Sequence, residues 1–351
     1  MPVQSARLRA ATSPHVCKKT KDQAPTSIAR MKWMTCALMA AALAATAPLA
    51  HGAASGLSVL VGCAASSGNS SSAGCAYAPQ QTTDSSPNAR LFAQDEVLDP
   101  ATGALNSAGA TAYARYGALG VLAQASASTA NPLSPGYTTA GSNAAATAVF
   151  GDTMLLTAPG LAGTAGMMTV RLKLDGDLHA WDYSPATGAP REGFQAILTS
   201  QTSFFDATVG GQLLSHRFTA QAMVTAPGEQ RSADVPTTLT LEVPIVFGHS
   251  VYFQTELSVR TEANVDAPGL SPDDPSYGFP RAGGATASFL HTLRWDGISR
   301  VTNAQGQAVD GFGVASATGI DWRVAAPVPE PSTAALLGLG VALLAWRQRR
   351  A

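Results

Sequence analysis

Apolar and polar positions alternate with a period of two through most of the interior of this chain. Thr147 to Thr157 (T-A-V-F-G-D-T-M-L-L-T) is β-branched and aromatic and stops at Ala158-Pro159-Gly160, a turn signal. Met168 to Leu174 alternates and then reaches Asp175-Gly176. Asp-Gly between apolar runs is a strong hairpin cue, so Leu178 to Tyr183 is the expected return strand. Phe194 to Thr199, Leu213 to Thr225, Thr237 to Phe247 and Val251 to Val259 read the same way. Pro244 marks its segment as an edge or bulged strand, because proline donates no ladder hydrogen bond. Ala285 to Trp295 alternates up to Asp296-Gly297, which predicts a turn into Ile298 to Asn303. A last hairpin is expected at Asp310-Gly311, followed by Gly313 to Ser316 and Ile320-Asp321-Trp322.

No helical period appears between Ala53 and Ala326. About a dozen short strands separated by turn signals predict an all-β fold, a β-sandwich of jelly-roll-like kind. The sandwich is assigned to residues 111–326. Residues 53–110, less periodic and rich in Ser and Gly, are expected to form a loop-rich lead-in. No repeat with the period of a solenoid is visible.

The two ends differ from this body. Met31-Lys32-Trp33 opens a stretch that is apolar from Met34 through Leu49 and ends in Ala50-His51-Gly52-Ala53. That is the layout of a signal peptide over residues 31–52, a helix removed by signal peptidase after Sec export. Residues 1–30 are polar and basic. They are either an unusually long leading region or an extension upstream of a true start at Met31. At the other end, Pro329-Glu330-Pro331 precedes an apolar run containing Ala334, Leu336, Leu337, Leu339, Val341, Leu343, Leu344 and Trp346. Arg347, Arg349 and Arg350 follow at once. The two prolines hold Glu330 in extended backbone and keep a helix from running upstream. The apolar run spans about 13 residues, short of the about 20 that cross a bilayer core as a straight helix. The arginines favour the cytoplasmic side. This is a short C-terminal apolar helix with a temporary hold on the membrane.

In that order, V-P-E-P-S-T, then A-A-L-L-G-L-G, then the arginine cluster, residues 327–351 resemble the PEP-CTERM sorting signal of Gram-negative bacteria. The resemblance implies an exosortase substrate, with Pro329, Glu330 and Pro331 as the sorting motif. It implies a precursor held at the inner membrane, then delivered to the cell surface or beyond. It also implies a place among proteins that accompany exopolysaccharide production. The stretches F-G-D-T-M-L-L-T-A-P-G, L-K-L-D-G-D-L and T-L-R-W-D-G-I-S-R look like the bodies of many exported proteins with such tails, a set of diverse biochemistry.

Composition narrows the picture further. The formal net charge is -1 and 13% of residues are charged, so there is no electrostatic footprint for nucleic acid. Beyond the signal segment the chain has Lys173 as its single lysine. Cys63 and Cys75 lie in a Gly/Ser/Ala stretch, and in an oxidising compartment such a pair reads as a disulfide. No metal site or cofactor is expected. His179, His216, His249 and His291 are scattered singly, without a second ligand at metal-binding spacing. There is no G-x-S-x-G elbow and no phosphate-binding glycine loop. Asp175-Gly176-Asp177 and Ser271-Pro272-Asp273-Asp274 suit turns better than calcium. Glu192, Glu242 and Glu256 are the carboxylates a glycosidase would need to pair. Trp181, Tyr183, Tyr252 and Trp295 are aromatics that could stack on sugar rings, and Trp181 and Trp295 stand beside predicted hairpins as candidate glycan contacts. The expectation is a non-enzymatic exported protein. A carbohydrate-binding module is the alternative, and a polysaccharide-active enzyme is the reading with less support.

Overall fold

A computed structural model of the chain describes residues 55–67, 70–71, 80–82, 88–98, 105–129, 138–183, 193–224, 226–267 and 281–326. The signal segment 31–52, Cys75 and the tail from residue 327 lie outside them. Among the described residues there is no helix, and the strands in chain order are β1 (Gly56–Ser67), β2 (Ser70–Ser71), β3 (Gln80–Thr82), β4 (Asn88–Leu98), β5 (Leu105–Arg115), β6 (Ala118–Thr129), β7 (Thr138–Thr157), β8 (Ala165–Lys173), β9 (Asp177–Asp182), β10 (Gly193–Asp206), β11 (Gln212–Val224), β12 (Gln230–Ala233), β13 (Thr238–Val246), β14 (Ser250–Ala267), β15 (Arg281–Asn303) and β16 (Gly313–Ser316). The fold is all-β, as the alternation predicts.

The strands form two antiparallel sheets. The first runs β11-β10-β14-β7-β1-β2, with β3 also on β1 and β16 on β7. The second runs β12-β9-β15-β6-β5-β4, with β8 on β15 and β13 on β8. The long strands turn alternate residues inward. On β7 these are Ala144, Ala146, Ala148, Phe150, Met154 and Leu156, and on β14 they are Val251, Phe253, Leu257, Val259 and Val265. The inward sets of both sheets belong to one continuous core. Ala110, Ala112 and Ala114 on β5 and Ala123, Ala125 and Ala127 on β6 are buried with Ala144 to Ala148. With such small side chains between them, Cα atoms of β6 and β7 come within 8 Å, closer than the about 10 Å usual between stacked sheets. Phe150, Phe204, Phe247, Phe253, Trp295 and Trp322 fill the remainder of the core as bulky, fully buried side chains.

Two expected hairpins are absent, for one reason. β8 and β9 do not pair with each other. Both lie along the same side of β15, β9 on Gly283–Ser288 and β8 on Arg294–Asn303. Asp175-Gly176 is therefore a jog between two collinear strands. At Asp296-Gly297 the chain also continues, because β15 stays paired with β8 through a bulge between Trp295 and Ile298. Gly297 takes a φ of 94° there, and a Cβ would meet the Arg323 carbonyl oxygen at 2.7 Å. Asp-Gly marks positive φ, and a bulge uses that freedom as readily as a turn. The lead-in expectation for 53–110 is also corrected. β1 is paired with β7 along its whole length, and β4 with β5. β1 turns Leu57, Val59, Val61, Cys63 and Ala65 inward, and β4 turns in Ala89 and Ala93. Pro244 sits on β13, which among the described residues pairs only with β8, the edge position that proline permits.

Candidate functional site

Asp152 breaks the apolar alternation of β7 between Phe150 and Met154. It faces inward and has no exposure. A buried carboxylate must be compensated, and here four donors converge on it. Ser55 Oγ donates at 2.7 Å and the Thr153 N–H at 2.8 Å, both to Oδ1. Thr318 Oγ1 donates at 2.5 Å and Trp322 Nε1 at 2.7 Å, both to Oδ2. A carboxylate offers about four acceptor sites, so Asp152 has no capacity left for a metal ion or a substrate proton. Its role is to hold chain segments together.

Those segments are the two ends of the folded body. Ser55 immediately precedes β1, whose Gly56 pairs with Gly151. Thr318 and Trp322 follow β16, which pairs with Met154 to Thr157 of β7. Trp322 is 1% exposed. Its ring stacks on Phe150 at 6.0 Å and 6°, and meets Phe253 and Trp295 edge-on at 5.0 and 5.1 Å. Trp295 Nε1 donates to the Trp322 carbonyl at 2.8 Å, and the Ala326 N–H donates to the Trp295 carbonyl at 2.8 Å. Asp321 and Arg323 brace the segment from outside through paired hydrogen bonds at 2.9 and 2.8 Å. Those bonds from Arg323 hold the Asp321 carboxyl at about 2. The segment passes from the first sheet at β16 to the second at Trp295, and is bonded to the body as far as Ala326. Two residues, Pro327 and Val328, separate Ala326 from Pro329.

Residues 327–350 match the PEP-CTERM protein-sorting motif. The chain carries this sorting signal at its C-terminus. The PEP-CTERM motif implies exosortase processing of a membrane-held precursor on its way to export. The match begins one residue after Ala326, so signal and folded body abut. None of the curated proteins matches the chain.

The other candidate residues are dispersed. Trp295, expected beside a glycan, is 1% exposed and bonded into the core. This corrects its assignment, since a strand that bulges rather than turns keeps its indole inside. Trp181 points the other way, out of the second sheet, so the two do not share a groove. Glu242 on β13 is exposed on that same outward face, while Glu256 on β14 faces out of the first sheet. They cannot act as a pair, and Glu192 lies outside the described residues. Burial pushes the Glu256 carboxyl up, and Arg217 partly offsets this. His249 Nδ1 lies 2.9 Å from Asp206 Oδ2, at the turn that joins β10 to β11. Burial opposes ionisation of Asp206. The bonds from His249 and from the Val209 and Thr208 N–H groups outweigh it and hold the carboxyl low. Asp175 and Asp177 are exposed at the jog. Among the described residues no group of three or more His, Cys, Asp or Glu is placed to hold a metal ion. Cys63 is disulfide-bonded, and Cys75 lies outside the described residues. Asp152, Ser55, Thr318 and Trp322 were not singled out by sequence reading. The available signal was an Asp at an inward position of an apolar strand.

Proposed function

We propose that this chain is an exported, non-enzymatic cell-surface or matrix protein that exosortase sorts through Pro329-Glu330-Pro331. In this reading Sec exports the precursor and signal peptidase removes residues 31–52. The apolar segment and Arg347, Arg349 and Arg350 then hold it at the inner membrane until processing. The observation that carries the reading is the sorting-motif match at 327–350. A body bonded as far as Ala326 supports it, because the processed product keeps its fold whatever becomes of the tail. We read the body as a jelly-roll β-sandwich. In support, β6, β15, β8–β9 and β12–β13 lie side by side opposite β7, β14, β10 and β11, with the chain alternating between the two sets. Exopolysaccharide is the partner that the family resemblance suggests.

A glycosidase has less support. Glu256 and Glu262 share one outward face but stand six positions apart on β14, about 20 Å at the strand rise. Paired catalytic carboxylates stand about 5–9.5 Å apart. The sorting reading is tested by fractionating cells that express Glu330→Ala. Unprocessed precursor should accumulate in the inner membrane, and wild-type processing of that variant would refute the assignment.

A further inference from the structure

Going beyond sorting, we propose that the outward face of the second sheet binds a neutral polysaccharide chain along the ridge His179-Trp181-Tyr183. On β9 the side chains of Leu178, Ala180 and Asp182 are buried, which turns His179 and Trp181 between them outward, and Tyr183 follows just past the strand's end. Alternate residues of a strand stand about 7 Å apart on one face, so three rings follow one another in a row. Trp181 lies flat on the sheet because its register partner on β15 is Gly284. A Cβ at Gly284 would come within 2.6 Å of the indole. The His179 ring stacks on the Trp181 ring, centroids 5.3 Å apart at 21°, and fixes its orientation. Tyr183 is 65% exposed, and its N–H is fixed to the Ala282 carbonyl at 2.8 Å.

The surroundings define the ligand class. Gln230 and Ser232 of β12 pair with Trp181 and His179, and Thr286 of β15 pairs with His179 from the other side. The ridge is thus bordered by amide and hydroxyl groups. Outward positions from Ala282 to Leu290 on β15, Leu122 to Ser128 on β6 and Ser107 to Tyr113 on β5 carry no charge. Charge on this sheet's outward face stands at Asp177, two residues before His179 on β9, and farther along at Arg171, Lys173 and Glu242 on β8 and β13, while the outward face of the first sheet carries Arg217, Glu256, Arg260 and Glu262. A row of rings edged by neutral hydrogen-bonding groups, with Asp177 at one end, suits a sugar chain, which offers apolar C–H faces to rings and hydroxyls to amides. An anionic polymer would meet the Asp177 carboxylate on the ridge itself, and Arg171 and Lys173 farther along are paired with Asp296.

The test is calorimetric titration of the full chain with cellohexaose, xylohexaose and laminarihexaose, with polygalacturonate as the anionic probe. At least one neutral hexaose should bind, with an affinity unchanged between about 20 mM and about 500 mM salt, because screening acts only on charge. Trp181→Ala should weaken that binding about tenfold and Tyr183→Ala severalfold, values in the range of lost ring contacts. Trp181→Phe should retain most of it, and Glu256→Gln on the opposite sheet should leave it unchanged. Should Trp181→Ala fail to fold, the exposed Tyr183→Ala decides. The proposal is overturned if no neutral hexaose binds, if both ring variants bind like wild type, or if polygalacturonate alone binds and is lost in salt.

Discussion

Trp322 donates its indole N–H to Asp152, 2.7 Å away and 170 positions earlier in the chain. The same carboxylate accepts the Ser55 hydroxyl 97 positions before it. One buried side chain therefore closes the fold at both the point where the chain enters the body and the point where it leaves toward the sorting signal. The tail is attached to the core of the protein rather than to a loose strand end.

Removing Asp152 should unfold this closure. Asp152→Ala leaves the Ser55 and Trp322 donors buried without an acceptor, and each unsatisfied buried donor costs about 1–3 kcal/mol. Ser55→Ala removes one neutral donor and should cost about 1 kcal/mol. Trp322→Ala opens a cavity between Phe150, Phe253 and Trp295 and should cost about 3–5 kcal/mol. Urea unfolding with an unchanged slope measures all three. Equal, small losses for Asp152→Ala and Ser55→Ala would show that the carboxylate does not organise the site.

Much of this fold was legible in the alternation, and the reasons for the exceptions are physical. β10, β13 and β14 follow apolar positions bulky enough to read. β5 and β6 turn alanines inward, and alanine signals little in a strand pattern. Asp175-Gly176 and Asp296-Gly297 were legible as positive-φ points, but a local dipeptide does not state whether the chain reverses or jogs. That depends on β15 running unbroken beside both β8 and β9, a relationship between segments about a hundred residues apart. The sorting motif was legible because its parts are contiguous. The Asp152 closure was not, because its side-chain partners come from two segments, around Ser55 and around Thr318–Trp322, far from it in sequence.

Glu256 supplies a pH test. Burial raises its carboxyl in the folded protein above the ordinary 4.5. A group that binds its proton more tightly when folded loses stability for the fold as pH rises through the interval between unfolded and folded values. The loss begins above about 4.5 and is complete once the folded carboxyl has ionised. Glu256→Gln should therefore melt higher than wild type at neutral pH, with the difference vanishing below pH about 4. Melting curves across that range check the sign. A variant less stable at pH 7 would mean that the Arg217 attraction dominates instead.

Cys63 is disulfide-bonded and 7% exposed, and Cys75 is its expected partner. Closing a loop of that length stabilises by about 3 kcal/mol in the chain-entropy model. Cys63→Ser and Cys75→Ser should each lose about that amount, and the double variant no more than either single one. Reductant should shift wild type to the variants' midpoint. Non-reducing mass mapping that links Cys63 to any partner other than Cys75 would assign the bond elsewhere.

Gly120 and Tyr113 form a cross-strand pair on the outward face of the second sheet, where the Tyr113 ring occupies the space of a Gly120 side chain. Glycine here serves close approach, since the ring can lie flat only over bare backbone. Gly120→Val should push the ring off the sheet and cost about 1–3 kcal/mol, the usual range for overpacking. Tyr113→Ala alone should cost less, because it loses one-sided contacts and leaves no strain. In the double variant the valine fills the vacated space, so its destabilisation should fall below the sum of the two. Contacting residues show coupling of about 0.5–3 kcal/mol in such cycles. Strict additivity would indicate that the ring and the glycine do not constrain each other.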